Sequence, residues 1–142
     1  MENDPLRPFV VGVWQDQLVE RTGDTPLSFN GAVLGRHVAD TNDSNRSYRT
    51  VIYQSKPDNN FIISTEFFSL RKEARHYWAG VSKNVLGLQD HVKSWSIVPT
   101  EVGYPMTDGI NFQQDNLLKN LRVAFDASVS GAYKDANLNI KI

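Results

Sequence analysis

Three histidines, His37, His76 and His91, are the first residues to test for chemistry, and they lie far apart in the chain. No His-X-X-X-His or Glu-X-X-His spacing links them, so a metal site has little support. With no cysteine there is no thiolate nucleophile, no disulfide framework and no cysteine metal site, and the redox compartment is not legible. Neither a Gly-rich phosphate loop nor a Gly-X-Ser-X-Gly elbow occurs. Glu66 and Glu73 carry carboxylates that could do acid–base work, but a strand glutamate facing solvent is the usual explanation. The expectation is therefore no enzyme and no cofactor. Residues 71–78, from Arg71 and Lys72 through Arg75, His76 and Tyr77 to Trp78, mix cations with aromatic rings, as surfaces that combine phosphate contacts with base stacking do. A solvated loop with its aromatic rings in the core is the competing reading.

The background is that of one domain, residues 1–142, with 40% hydrophobic and 22% charged residues. The opening residues are acidic and polar rather than basic and then apolar, and no apolar run reaches membrane-spanning length. A soluble chain without a cleaved secretory signal or a membrane partner is expected. The net charge of −1 hides an uneven distribution. Residues 1–45 hold three Lys/Arg against seven Asp/Glu, residues 46–95 hold eight against four, and residues 96–142 hold four against five. The positive middle of the chain suits a polyanion, or simply solvates strand edges and loops.

The elements that would position these residues centre on Tyr48–Phe68. Two runs rich in β-branched and aromatic residues flank Pro57-Asp58-Asn59-Asn60, which reads as an antiparallel hairpin. Before it, residues 9–21 form an extended run, with Phe9, Val11 and Val13 alternating. A turn at Thr22-Gly23-Asp24-Thr25 and a shorter run with Leu27 and Phe29 complete a first hairpin. Gly31–Asp40 reads as a short strand and residues 40–47 as a polar loop, whose two Asn-X-Ser sequences read as chance matches. After the central hairpin, a loop leads into a strand near Arg75–Val81, and Ser82–Asp90 reads as a loop. His91–Pro99 alternates strictly, with His91, Lys93, Trp95 and Ile97 on one face, and is expected to be a strand closed by proline.

One main helix is expected late in the chain. Asn111 can cap it, Gln114 and Asp115 suit its first turn, and Gly131 offers a stop. Leu117, Leu118, Leu121, Phe125 and Val129 line one side, opposite Lys119, Asn120, Arg122 and Asp126. Leu138, Ile140 and Ile142 alternate as a terminal strand would. Six or seven strands followed by a helix give an α+β fold in which the helix covers one face of an antiparallel sheet.

Tyr48-Arg49, Gln54-Ser55, the run from Phe61 to Phe67, the alternating strand from His91 to Pro99 and the helix from Phe112 to Val129 together resemble the coat proteins of the single-stranded RNA bacteriophages, levivirus-like in element order over nearly the whole chain. The resemblance implies an antiparallel sheet with an N-terminal hairpin, and C-terminal helices packed over the partner's sheet in an intertwined homodimer. Dimers would close into an icosahedral shell around the single-stranded genomic RNA, the virion being assembled in the host bacterial cytoplasm. The inward sheet face would bind a genomic RNA hairpin, packaging RNA and repressing translation. Matched strand by strand, that face would show Arg49, Val51, Tyr53 and Ser55, then Ser64, then His91, Lys93 and Trp95. Arg49 and Lys93 would neutralise phosphates, and Tyr53, His91 or Trp95 would stack on unpaired bases. The family commonly has small hydroxyl residues where Val51 and Tyr53 stand here. A register slip of one residue would turn Tyr53 and Trp95 into the core. Residues 82–90 would correspond to the loop lining openings between subunits.

The alternative is a small lipocalin-like β-barrel for an apolar ligand. Gly12-Val13-Trp14 looks like the Gly-X-Trp start of such barrels, although a closed barrel needs about eight strands.

Overall fold

The structure, a computed structural model, describes residues 6–42, 44–70, 75–95 and 112–138, with side chains of the last stretch from Leu118 onward. It is α+β. Five strands, β1 (Gln15–Val19), β2 (Leu27–Asp40), β3 (Arg46–Lys56), β4 (Phe61–Ser69) and β5 (His76–Ser82), run in the order β1-β2-β3-β4-β5, each antiparallel to its neighbour. Two helices follow, α1 (Val85–Ser94) and α2 (Phe112–Asp135). Among the described residues no helix is long and apolar enough to cross a membrane.

The central hairpin forms where the two β-branched runs and the polar turn place it. Gln54 pairs with Phe61, and Asn59 takes the left-handed φ of +55° that an asparagine tolerates. Ser55 N–H donates to the Asn60 carbonyl at 2.8 Å, closing the turn. The first hairpin is also present, but its first strand is only Gln15–Val19 rather than the whole run 9–21, with Gly23 at φ +80° and the Asp24 carboxylate accepting from Thr25 N–H at 2.7 Å. The runs at Leu27–Phe29 and Gly31–Asp40 are one strand rather than two. A bulge between Val33 and Gly35 lets this single long β2 bend without ending. This merging, and a helix where the expected strand would start at 91–94, leave five strands among the described residues.

Residues 85–94 are a helix, not a loop running into a strand. Asn84 caps it, its side chain accepting from Gly87 N–H at 2.8 Å. Val85, Leu88, Val92 and Trp95 recur at helical spacing and all pack on the main core, so period 3.6 prevails over the period-2 alternation of 91–98. Gly87 sits inside the helix because a Cβ there would lie 1.8 Å from the Ser82 hydroxyl oxygen. Residues 96–99 lie outside the described residues.

The late helix is present and longer than expected. Leu121, Ala124, Phe125, Ser128, Val129, Ala132 and Tyr133 form its buried stripe, whereas Leu118 is 39% exposed. The expected cap residue Asn111 and the side chains of Gln114, Asp115 and Leu117 lie outside the described residues. Gly131 does not stop the helix. The end comes at Asn137, left-handed at φ +59°, where Asn137 N–H donates to the Lys134 carbonyl and Leu138 N–H to that of Tyr133. Leu138 closes the helix in this way, and residues 139–142 of the expected terminal strand lie outside the described part.

Both helices cover the same sheet face. Tyr48, Ile52, Ile63, Phe67 and Trp78 from the sheet meet Leu88 of α1 and Leu121, Phe125, Val129 and Tyr133 of α2 in one cluster. Tyr48 packs edge-on against Phe125 at 5.5 Å between ring centroids. At the centre stands a directed chain of hydroxyls. Ser128 donates to the Phe125 carbonyl, so it must accept from Thr50, which in turn accepts from Thr65, with oxygen separations of 2.8, 2.9 and 2.8 Å. All three residues are buried, and their mutual bonds satisfy what would otherwise cost stability.

Two glycines set how closely α2 approaches the sheet. A Cβ on Gly35 would come within 2.3 Å of Ala136 N and 2.5 Å of Ala132 O, and one on Gly131 within 2.2 Å of the His37 ring. Gly35→Ala should therefore cost about 2–3 kcal/mol, because backbone must move. Gly131→Ala should fail to deliver the ~1 kcal/mol that alanine normally gains in a helix. Urea denaturation of both variants checks this. A neutral Gly35→Ala together with a stabilising Gly131→Ala would mean that the close approach does not exist.

Candidate nucleic-acid interface

The face opposite the helices is built by the alternation of β3, β4 and β5. On β3 the side chains of Arg49, Val51, Tyr53 and Ser55 share it, since their neighbours Tyr48, Thr50 and Ile52 belong to the helical side. Register then lays out cross-strand rows: Arg49 opposite Glu66 opposite Tyr77, Val51 opposite Ser64 opposite Ala79, and Tyr53 opposite Ile62 opposite Val81. Five of the eight predicted residues, Arg49, Val51, Tyr53, Ser55 and Ser64, are thus brought together.

The other three are not. His91 and Lys93 stand on α1, and Trp95 follows its last turn, all on the helical side of the sheet. His91 packs against Gly80, and its Nε2 lies 2.9 Å from the Val81 carbonyl, to which it donates. Trp95 stacks on Trp78 with centroids 6.3 Å apart and meets Phe125 edge-on. Lys93 is exposed in the last helical turn, where a cation suits the helix dipole. The apolar spacing of α1 that turned 85–94 into a helix is also what removed these side chains from the β3 face.

The assembled face is not bare. Val19, Val33, Val51, Tyr53 and Ile62 form a second, smaller core, with Phe9, Leu27, Phe29 and Ala79 packed around it. Phe29 meets Tyr53 edge-on at 5.4 Å, and Tyr53 is only 2% exposed. A cavity of about 110 Å³ remains between this cover and the sheet. Phe9, Leu18 and Val19 line it on one side, and Arg49, Val51, Tyr53, Ser64, Glu66 and Tyr77 on the other.

Charge on this face is concentrated in the Arg49 row. Glu66, 6% exposed, pairs with the Arg49 guanidinium, and its second oxygen lies 3.3 Å from Arg75. Two guanidiniums meet this one carboxylate, Arg49 partly shielded from water and Arg75 exposed, and the Glu20 carboxylate lines the same pocket. The Arg49 guanidinium also sits 4.8 Å from the centre of the Phe9 ring. Arg75 is held above its ordinary pKa first by its hydrogen bond with Tyr77 and then by the charge of Glu66. At the turn end of β3, the Lys56 ammonium lies 4.1 Å from the centre of the half-exposed Trp14 ring.

Residues 71–74 of the mixed cation–aromatic cluster lie outside the described part. The rest divides by strand parity: Arg75 and Tyr77 join the Glu66 row, while His76 stacks on Trp78 at 4.4 Å on the helical side. Glu66, Arg75, Tyr77 and Phe9 were not among the predicted site residues. The alternation of Arg75, Tyr77 and Ala79 against the β4 register was the available signal for two of them. Among the described residues no group of three or more His, Asp or Glu side chains converges as a metal site.

Burial gives this face a pH signature. It pushes the Tyr53 hydroxyl up from 10.0 to about 12, against the opposing hydrogen bond with Ser64 and the charge of Arg49. Tyr133, buried in the larger core, is also raised to about 12. The folded protein holds these protons to higher pH than the unfolded chain, so the stabilisation is full below pH 10 and is lost as pH rises toward 12. For Tyr53 the loss should be about 2 kcal/mol. Denaturation midpoints measured across that range should fall with rising pH, and Tyr53→Phe should flatten the fall. A midpoint independent of pH there would contradict the burial of both rings.

No known protein family, curated protein or solved structure matches this chain, so what the face does has to be argued from its own geometry.

Proposed function

We propose that the chain is the coat protein of a single-stranded RNA bacteriophage and that the sheet face bearing Arg49, Val51, Tyr53, Ser55 and Ser64 is its RNA side. The observation that carries this reading is the one-sidedness of the sheet. Both helices gather on one face, and the five predicted residues that remain together share the other with the Arg49–Glu66–Arg75 cluster. A shell needs such a division, with one side turned to neighbours and solvent and the other to the polyanion within. Arg49 and Arg75 supply phosphate contacts, and Tyr77, half-buried beside them, supplies a ring for an unpaired base.

The intertwined dimer is part of the proposal. In the single chain α2 lies on its own β2 and β3. In the proposed dimer the α2 of a second copy would take this surface, using the same close approach at Gly35 and the same hydroxyl contact at Thr50. Residues 95–111 separate the two helices and can reach roughly 50 Å when extended, which allows the exchange.

A lipocalin-like barrel has less support. Five antiparallel strands are described, and a closed barrel of that kind needs about eight.

Expression of the full chain, followed by size-exclusion chromatography with ultraviolet absorbance ratios and negative-stain microscopy, tests the proposal. The expected result is closed particles of megadalton size that carry nucleic acid. A nucleic-acid-free monomer under several assembly conditions would refute it.

A further inference from the structure

We infer that residues 6–14 are a strap that keeps the RNA face closed and must lift before RNA binds; this rests on the RNA-side reading above. The strap's key contact is Phe9. Its ring stands 4.8 Å from the Arg49 guanidinium, in the place an unpaired base would take against the same cation. It also walls the cavity onto which Arg49, Val51, Tyr53 and Ser64 open. The ring shields Arg49, and beside it Val19, Leu27 and Phe29 of the first hairpin pack over Val51 and Tyr53.

Among the described residues the strap meets the sheet ladder at the isolated bridge of Val11 with Val33, where Gly12 N–H donates to the Val33 carbonyl at 3.0 Å, and its Trp14 ring lies 4.1 Å from the Lys56 ammonium. Gly12 itself takes φ +84°, a conformation other residues adopt with strain. Beside the ring a groove of about 110 Å³ opens to solvent between exposed Leu18 and Glu20 and the sheet. Val10, Val11, Val13 and Trp14 are between 40% and 52% exposed, so much of the strap's apolar surface makes no contact in the closed position. A segment with few buried contacts and one ladder bond opens well before the rest of the fold does.

Closure lowers the affinity of the face by the fraction of time that it is open. If the strap is closed nine-tenths of the time, releasing it tightens RNA binding about tenfold. Two full-length variants release it by different routes. Phe9→Ser removes the ring. Gly12→Val makes φ +84° unfavourable while placing its side chain where nothing lies within 4 Å, so the strain falls on the strap alone.

The test pairs two readouts on folded protein, checked by circular dichroism. Tyrosine nitration mapped by mass spectrometry reports whether Tyr53 has become accessible, and fluorescence anisotropy with a labelled single-stranded RNA hairpin reports affinity. The expected result for both variants is Tyr53 nitrated, where the parent is protected, with RNA bound about tenfold more tightly. Tyr53 exposed with affinity unchanged from an RNA-binding parent would overturn the strap alone. Tyr53 exposed with no RNA binding by parent or variants would overturn the RNA side as well. Tyr53 still protected in both variants would show that residues 6–14 do not close the face.

Discussion

The contact on which the fold depends is the approach of α2 to the sheet at Gly35 and Gly131. Missing side chains at these two positions let Ala132 and Ala136 press on β2 and let the His37 ring lie against the helix. With the helix that close, Ser128 reaches Thr50, and the hydroxyl chain through Thr65 fixes the helix lengthwise over β3 and β4. The aromatic cluster of Tyr48, Phe67, Trp78, Trp95 and Phe125 then fills the remaining space. A bulky residue at position 35 would hold the helix away and leave three buried hydroxyls short of partners, a cost larger than any one contact.

Because that face is so fully committed to packing, whatever the protein binds has the other face to use. That face carries a tension of its own. Its central side chains, Val51 and Tyr53, are as buried as those of the main core, yet the row beside them holds a carboxylate between two guanidiniums. A purely structural face has no need of a paired charge half-sealed from water, since replacing such a group with apolar residues is often neutral or stabilising. The combination of a small apolar floor with a charged, aromatic rim suits a ligand that brings both phosphate and flat rings.

Much of this was legible in the sequence where the cause is local. The central hairpin announces itself through β-branched runs and the Pro57–Asn60 turn, and period two then puts Arg49, Val51, Tyr53 and Ser55 on one face. What was misread depends on distant partners. Residues 82–90 looked like a loop, yet Gly87 sits in a helix against Ser82, and Gly131 looked like a helix stop but lies against His37. Between residues 85 and 98 two periods compete, and only the position of the core decides for Val85, Leu88, Val92 and Trp95 over the alternation of His91, Lys93 and Trp95. The Phe9 cover had no local signature, because nothing in residues 6–14 says which face they will cross.

The central claim is that nucleic acid meets the β3–β4–β5 face and not the helices. Ultraviolet cross-linking of RNA to the assembled protein, with the linked peptides identified by mass spectrometry, addresses it directly. The account predicts cross-links at Arg49–Ser55, Ser64 and Tyr77, with the exposed Lys119 and Arg122 of α2 silent. Cross-links confined to α2, with none on β3, β4 or β5, would contradict it.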